Sequence, residues 1–124
     1  MVKNDLKNFK IFEQVREFRS LFNDRKFDYL CDERMHGFFI ETIKPKACVV
    51  FFEDLASTTG SFLSGERSSG PGIHKTLRKA GSIIGLGMSF QSRFENYAKS
   101  KETFEFARAA DGSVRLYEYS IVPN

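Results

Sequence analysis

The spacing of apolar residues changes once along this chain, and that change limits the possible folds more than any other feature. From residue 5 to residue 23, apolar side chains recur every three or four positions with charged side chains between them, which is the pattern of an amphipathic helix. From residue 82 onward they alternate with small or polar residues, which is the pattern of a strand. The sequence therefore predicts an α+β fold in which helices precede strands.

Two shorter helices are predicted between these regions. Residues 26–36 return to helical spacing after a polar break. Residues 45–55 are ambiguous, because their CVVFF core contains the β-branched and aromatic residues that favour strands. We interpret them as a helix, since Pro45 suits a first helical position. Residues 57–72 are mostly Ser, Thr, Gly and Pro, and they predict a loop with room for one short strand.

Three strands are predicted, near residues 82–94, 102–109 and 113–122. The last two should form a hairpin, because an Ala-Asp-Gly turn segment stands between them. Strict alternation gives the final strand two apolar faces. One face carries Tyr117, Tyr119 and Ile121, and the opposite face carries Val114 and Leu116. One layer of helices covers only one face of a sheet, so we expect the tyrosine face to form a homodimer interface.

The aromatic content indicates how the core is filled. The chain has 14 Phe and no Trp among 124 residues, a length that suits one domain spanning residues 1–124. We expect a largely aromatic core between the helices and the sheet. Its predicted members are Phe12, Val15, Phe18, Phe22, Leu30, Phe51, Leu86, Met88, Phe90, Phe104, Phe106 and Leu116. On the other face of the 82–94 strand, Gly85 and Gly87 permit a sharp bend or the close approach of another group.

Charge and targeting signals restrict the partners and the compartment. The net charge of +3 is weaker than expected for a nucleic-acid-binding domain. A basic segment, residues 74–79 with His74, Lys75, Arg78 and Lys79, keeps nucleic acid as a less favoured alternative to a solvated surface. No apolar run approaches the roughly 18 residues of a membrane span. The N-terminus has no apolar leader segment, so localisation stays open between a cytoplasmic protein and an exported one whose leader was removed.

Three segments of the chain carry a family resemblance. They are REFRSLFNDRKFDYLCDE, IKPKACVVFFEDL and GLGMSFQSRFENYAKSKETFEFARAADGSVRLYEYSIV. In order, they resemble the first two helices, the third helix and the final strands of the nuclear-transport-factor-2-like (cystatin-like) superfamily, in particular its small bacterial members. The resemblance implies that the helices pack on a strongly curved antiparallel sheet and form a cone with a pocket inside. It also implies dimerisation through the other face of the sheet.

The resemblance implies no particular reaction, because this fold carries isomerases, cyclases, dehydratases and non-catalytic modules. The polar groups on the second helix, which would line the pocket, are Asp28, Tyr29, Asp32 and His36. Positions 28, 32 and 36 share one helical face, which is either a solvated surface or the site of a His-Asp acid/base pair. The second and third helices of such a fold lie close together. Cys31 and Cys48 should therefore be partly buried, either as two thiols or as a disulfide, which requires a Cα separation below about 7 Å.

We predict a non-catalytic binding or assembly module, with an apolar ligand in the cone or a protein partner on the sheet. Aromatic residues supply the walls of a binding site, whereas the sequence has no nucleophile motif, no metal-ligand cluster and no matched acid/base pair. No cofactor or metal is therefore expected. The alternative is a small isomerase-like or cyclase-like enzyme with its acid and base in the pocket. The two hypotheses differ in whether Asp28, Asp32 or His36 points into a closed cavity.

Overall fold

Helices precede strands, as the sequence predicts. A computed structural model describes residues 10–34, 45–78, 81–108 and 114–124. Within these ranges the helices are α1 (Ile11–Asn23), a short α2 (Phe27–Tyr29) that continues as a π-helix (Leu30–Arg34), and α3 (Pro45–Thr59). The strands are β1 (Phe62–Arg78), β2 (Gly81–Phe94), β3 (Tyr97–Arg108) and β4 (Val114–Pro123). The α+β class is confirmed, while the cone shape and the strong curvature stay predictions. None of the described helices is long and apolar enough to cross a membrane.

The four strands form one antiparallel sheet in the order β1-β2-β3-β4. A two-residue turn at Glu95 and Asn96 joins β2 to β3, so that β3 begins at Tyr97, five residues before its predicted start. This turn is fastened to the end of α3, because the backbone N–H of Asn96 donates to the carbonyl of Thr59 over 2.9 Å. The predicted turn around Gly112 lies outside the described residues.

The predicted loop at residues 57–72 is wrong. Its first residues complete α3, which ends at Thr59. Gly60 comes next and adopts the left-handed conformation (φ +73°) that commonly follows a helix. The remainder forms the first half of β1, a strand of 17 residues. Small and polar residues have low strand propensity, but pairing with β2 along the whole strand overrides it. Three register shifts in β1 absorb the irregular sequence, and a side chain at Gly70 in this region would collide with the backbone of Gly87.

The core lies between the helices and one face of the sheet, which we call the inner face. Ten of the twelve predicted core residues are buried there. The two exceptions are Phe12 and Phe51, whose side chains are 44% and 39% exposed. In α1 the buried stripe runs through Ile11 and Val15, so Phe12 is rotated by about 100° away from it. In α3 the neighbouring Phe52 takes the inward position.

The predicted division of β4 into two apolar faces is also wrong. A register shift falls between Glu105 and Phe106, whose partners on β4 are Glu118 and Leu116. Tyr117 is therefore an extra residue, and a bulge of one residue reverses the alternation beyond it. As a result Tyr119 lies on the same inner face as Leu116.

A disulfide joins the π-helix to α3. Cys31 and Cys48 are bonded with a Cα separation of 6.1 Å, which resolves the choice that the sequence left open. Both are almost fully buried, more than the partial burial that was predicted. The bond links two helical segments that are separated along the chain by residues 35–44, which lie outside the described residues.

Candidate functional site

Three of the four predicted pocket residues on the second helix lie on the protein surface. Asp28, Tyr29 and Asp32 are all exposed, and His36 lies outside the described residues. An open groove of about 440 Å³ passes beside Asp28 and Tyr29. It is lined by residues of α1, α2 and the turn between them, and none of the described lining residues belongs to the sheet. Neither aspartate therefore occupies a closed cavity between helices and sheet, which is the arrangement that the enzyme hypothesis needs.

The inner face instead buries an acidic residue that the sequence analysis did not single out. Glu102 projects from β3 into the aromatic core, and its side chain is 0% exposed. Three donors hold its carboxylate. Arg19 Nη2 and Ser92 Oγ donate to Oε1 over 2.6 and 2.8 Å, and Tyr119 Oη donates to Oε2 over 2.6 Å. Both carboxylate oxygens are thus occupied, as a buried charge requires.

Arg19 reaches this carboxylate from α1 through a gap between two rings. Its guanidinium carbon lies 4.0 Å from the ring centroid of Phe62 and 4.4 Å from that of Phe90. Such stacking suits the weakly hydrated guanidinium, and cation–π attraction adds to the ion pair. Gly65 makes room for this arrangement, because a Cβ there would stand 3.1 Å from Arg19 Nη2 and 2.7 Å from Ser92 Oγ.

Tyr119 completes the cluster and fills the space between helices and sheet. Its ring centroid lies 4.3 Å from that of Phe18 on α1 and 4.9 Å from that of Phe104 on β3. Burial raises the pKa of Tyr119 well above its ordinary value, the charge of Glu102 and the hydrogen bond to it raise it further, and Arg19 opposes the shift. The hydroxyl therefore stays protonated and acts as a donor to Glu102.

This buried cluster is suited to holding the fold together. Glu102 is 0% exposed and accepts its three hydrogen bonds from its own chain, so a substrate does not reach the carboxylate that a general base would have to bring into contact with it. A sequence signal for the cluster does exist. Glu102 occupies the same alternating face as Phe104 and Phe106, and a carboxylate in an apolar face indicates a buried partner.

The opposite face of the sheet, which we call the outer face, carries a shallow groove of about 350 Å³. Its lining residues come from the first three strands. They are Ser69, Gly70, Gly72, Gly87, Met88, Ser89, Thr103 and Glu105. The carboxylate of Glu105 lies over Gly87, where a Cβ would stand 2.9 Å from Oε2. The sequence allowed either a sharp bend or a close approach of another group at the glycines of β2, and at Gly87 the structure identifies Glu105 as the approaching group.

The predicted interface residues are not arranged as one exposed patch. Tyr119 belongs to the core, and Ile121 packs against it from the inner face while partly exposed. Tyr117 is 3% exposed and does not belong to the main core cluster. On β3 the outer face is polar instead, with Lys101, Thr103 and Glu105 at alternate positions.

Comparisons with known proteins find no relative of this chain, so functional inference rests on the geometry described above. No protein-family model matches the chain, and searches among curated proteins and solved structures find no match. The resemblance to the nuclear-transport-factor-2-like superfamily therefore stays a prediction. Within the described residues, no group of three or more His, Cys, Asp and Glu side chains is placed to bind one metal ion.

Proposed function

We propose that this chain is a non-catalytic binding or assembly module that pairs with a second copy of itself through the outer face of the sheet. The inner face supports this choice, because the rings of Phe18, Phe104 and Tyr119 fill the space around the buried carboxylate of Glu102. That carboxylate is committed to donors within the chain. Of the two versions of the binding hypothesis, the protein partner on the sheet is therefore favoured over an apolar ligand in the cone.

The charge pattern of β3 carries the proposal. Lys101 and Glu105 lie two positions on either side of Thr103, all on the outer face. A two-fold axis that lies between the two sheets at Thr103 and runs perpendicular to β3 exchanges these two positions. It therefore sets Lys101 of each copy against Glu105 of the other, and a symmetric dimer forms both ion pairs at once.

The residues at the centre of this face have small side chains, which lets a second sheet approach. On β2 the residues beside Glu105 and Thr103 are Gly87 and Ser89. The hydroxyls of Ser89 and Thr103 lie 3.3 Å apart, so they form a compact polar centre. Sheets that pack face to face are about 10 Å apart, with side chains of both sheets filling the space between them. Small residues at the centre of the face leave that space to the long side chains of Lys101 and Glu105 from the two copies. The groove beside Glu105 leaves room for a lysine side chain from the second copy.

Charge reversal tests the pairing directly. Lys101→Glu or Glu105→Lys should raise the dimer dissociation constant at least about tenfold, because symmetry creates two like-charge pairs in each variant. The double variant Lys101→Glu with Glu105→Lys restores opposite charges and should recover the dimer. Analytical ultracentrifugation from 1 to 100 μM measures all three, at low salt because exposed pairs are screened.

Lys46→Glu serves as the matched control, since Lys46 is exposed on α3 and lies outside the sheet. It makes the same charge change and should leave the dissociation constant unchanged. A parent protein that stays monomeric at 100 μM contradicts the proposal. So does a dimer that survives both single reversals.

A further inference from the structure

The positive charge of this chain is concentrated in one stretch of sequence. Residues 67–94 contain no Asp or Glu, and all five of their charged residues are basic. These are Arg67, Lys75, Arg78, Lys79 and Arg93. With Glu66 included, residues 62–94 carry a charge of +4, whereas the whole chain carries +3. The remainder is therefore slightly acidic, which is the kind of asymmetry that indicates a polyanionic partner.

The structure places residues 67–78 and 81–94 of this stretch in two paired strands, the β1–β2 hairpin, at the border of the sheet. The residues that composition assigned to a loop belong to β1, and β1 pairs with β2 along nearly its whole length. In the strand order β1 is terminal, and within the described part of the chain only β2 pairs with it. Residues 63–70 of β1 are exposed without exception. The basic residues at 67, 75 and 78 therefore lie along a single strand that borders the sheet, with Arg93 opposite Ser64 on β2.

We propose that this strand binds the phosphate backbone of duplex DNA without reading its sequence. Phosphate oxygens accept hydrogen bonds from arginine and lysine, from serine hydroxyls and from backbone N–H groups, and β1 offers each kind. Ser64, Ser68 and Ser69 are exposed beside the exposed Arg67. Unpaired N–H groups at the edge of a sheet also attract anions.

The composition of the strand favours duplex DNA over other polyanions. Single strands are held mainly by stacking on exposed aromatic rings, and no exposed residue of the described β1–β2 hairpin is aromatic. A membrane surface is held by several apolar anchors, whereas Leu63 is the single large apolar residue among exposed residues 63–70. Glu66 is the single acidic residue of the hairpin and should oppose binding.

The test measures binding of a fluorescent 24-base-pair duplex of arbitrary sequence by anisotropy, at a series of salt concentrations. Each phosphate contact contributes a slope of about −0.9 to log K against log salt. The triple variant Arg67→Gln, Lys75→Gln, Arg78→Gln should therefore bind at least about tenfold more weakly at 50 mM salt, with a slope shallower by about 2.7. Glu66→Gln should bind more tightly than the parent.

A control of equal charge separates a local effect from net charge. The triple variant Arg16→Gln, Lys46→Gln, Lys99→Gln removes three exposed cations outside the hairpin and should keep the parent's slope. The proposal is overturned if this control loses as much affinity as the hairpin variant. It is also overturned if the parent prefers single-stranded DNA or phosphatidylserine vesicles, or if its binding has no salt dependence. Circular dichroism checks that every variant is folded.

Discussion

Replacing Arg19 by methionine tests whether the buried carboxylate depends on its ion pair. The substitution keeps an unbranched side chain that can lie between the rings of Phe62 and Phe90, but it removes the charge and the donor at 2.6 Å. Glu102 would then keep only Ser92 and Tyr119 as donors. The change therefore isolates a negative charge in the core with little loss of packing.

The expected cost follows from the burial of the pair. The side chains of Arg19 and Glu102 are 14% and 0% exposed, so water does little to screen their interaction. Removing one partner of a buried pair costs about 3 to 5 kcal/mol, mainly because a charge stays buried without compensation. The two remaining hydrogen bonds place this case near the lower limit, at about 3 kcal/mol.

Urea unfolding followed by far-UV circular dichroism measures this cost. For a slope of about 1.5 kcal/mol per molar urea, a loss of 3 kcal/mol lowers the midpoint by about 2 M. Arg16→Met is the matched control, because Arg16 is exposed on the same helix, and its effect should stay within about 0.5 kcal/mol.

A double substitution separates the buried charge from the packing. Arg19→Met combined with Glu102→Leu removes both charges and should return the stability to within about 2 kcal/mol of the parent. If Arg19→Met costs less than about 1 kcal/mol, Glu102 does not depend on Arg19 and the reasoning fails. A double variant that is as unstable as the sum of its single changes also contradicts it.

Three further predictions concern stability. Gly65→Ala should cost about 1 to 3 kcal/mol in urea unfolding, because its Cβ would stand 2.7 Å from Ser92 Oγ. The control Gly72→Ala should be neutral, because a Cβ there meets no atom within 4 Å. Removal of the Cys31–Cys48 bridge, by reduction or by a double alanine substitution, should cost about 3 kcal/mol, given the sequence separation of 17. Equal urea midpoints with and without reductant would exclude this contribution. The pKa of Tyr119 is raised in the folded state, so its contribution to stability is complete below pH 10 and is lost as pH rises further. Tyr119→Phe should therefore flatten the loss of stability at alkaline pH. An unchanged pH profile would rule out this contribution of Tyr119.

Local patterns were enough to predict most of the secondary structure. The spacing of Val15, Phe18 and Phe22 indicates α1, and the alternation of Leu86, Met88 and Phe90 indicates β2, because each set needs one continuous buried face. Pro45 favoured the helical interpretation of α3 over the strand-like CVVFF segment, and that prediction is confirmed. Composition also predicted the aromatic core.

The candidate site was predicted less well, since its residues meet only in the folded chain. Arg19 and Glu102 are 83 positions apart, and neither residue type by itself indicates burial. The helix residues that the family resemblance suggested are polar and evenly spaced, and this pattern also describes a solvated surface. Asp28 and Asp32 do lie at such a surface.

The sequence by itself indicated the three helices, the strands after residue 81 and ten of the twelve predicted core side chains, because hydrophobic periodicity acts over a few neighbouring residues. Tertiary structure decided the rest. Pairing with β2 turned a serine- and glycine-rich segment into β1, since ladder hydrogen bonds outweigh weak local propensity. A bulge of one residue at Tyr117 moved Tyr119 to the inner face, where it meets Glu102. Strand pairing and bulges depend on residues far apart in the chain, so no local pattern encodes them.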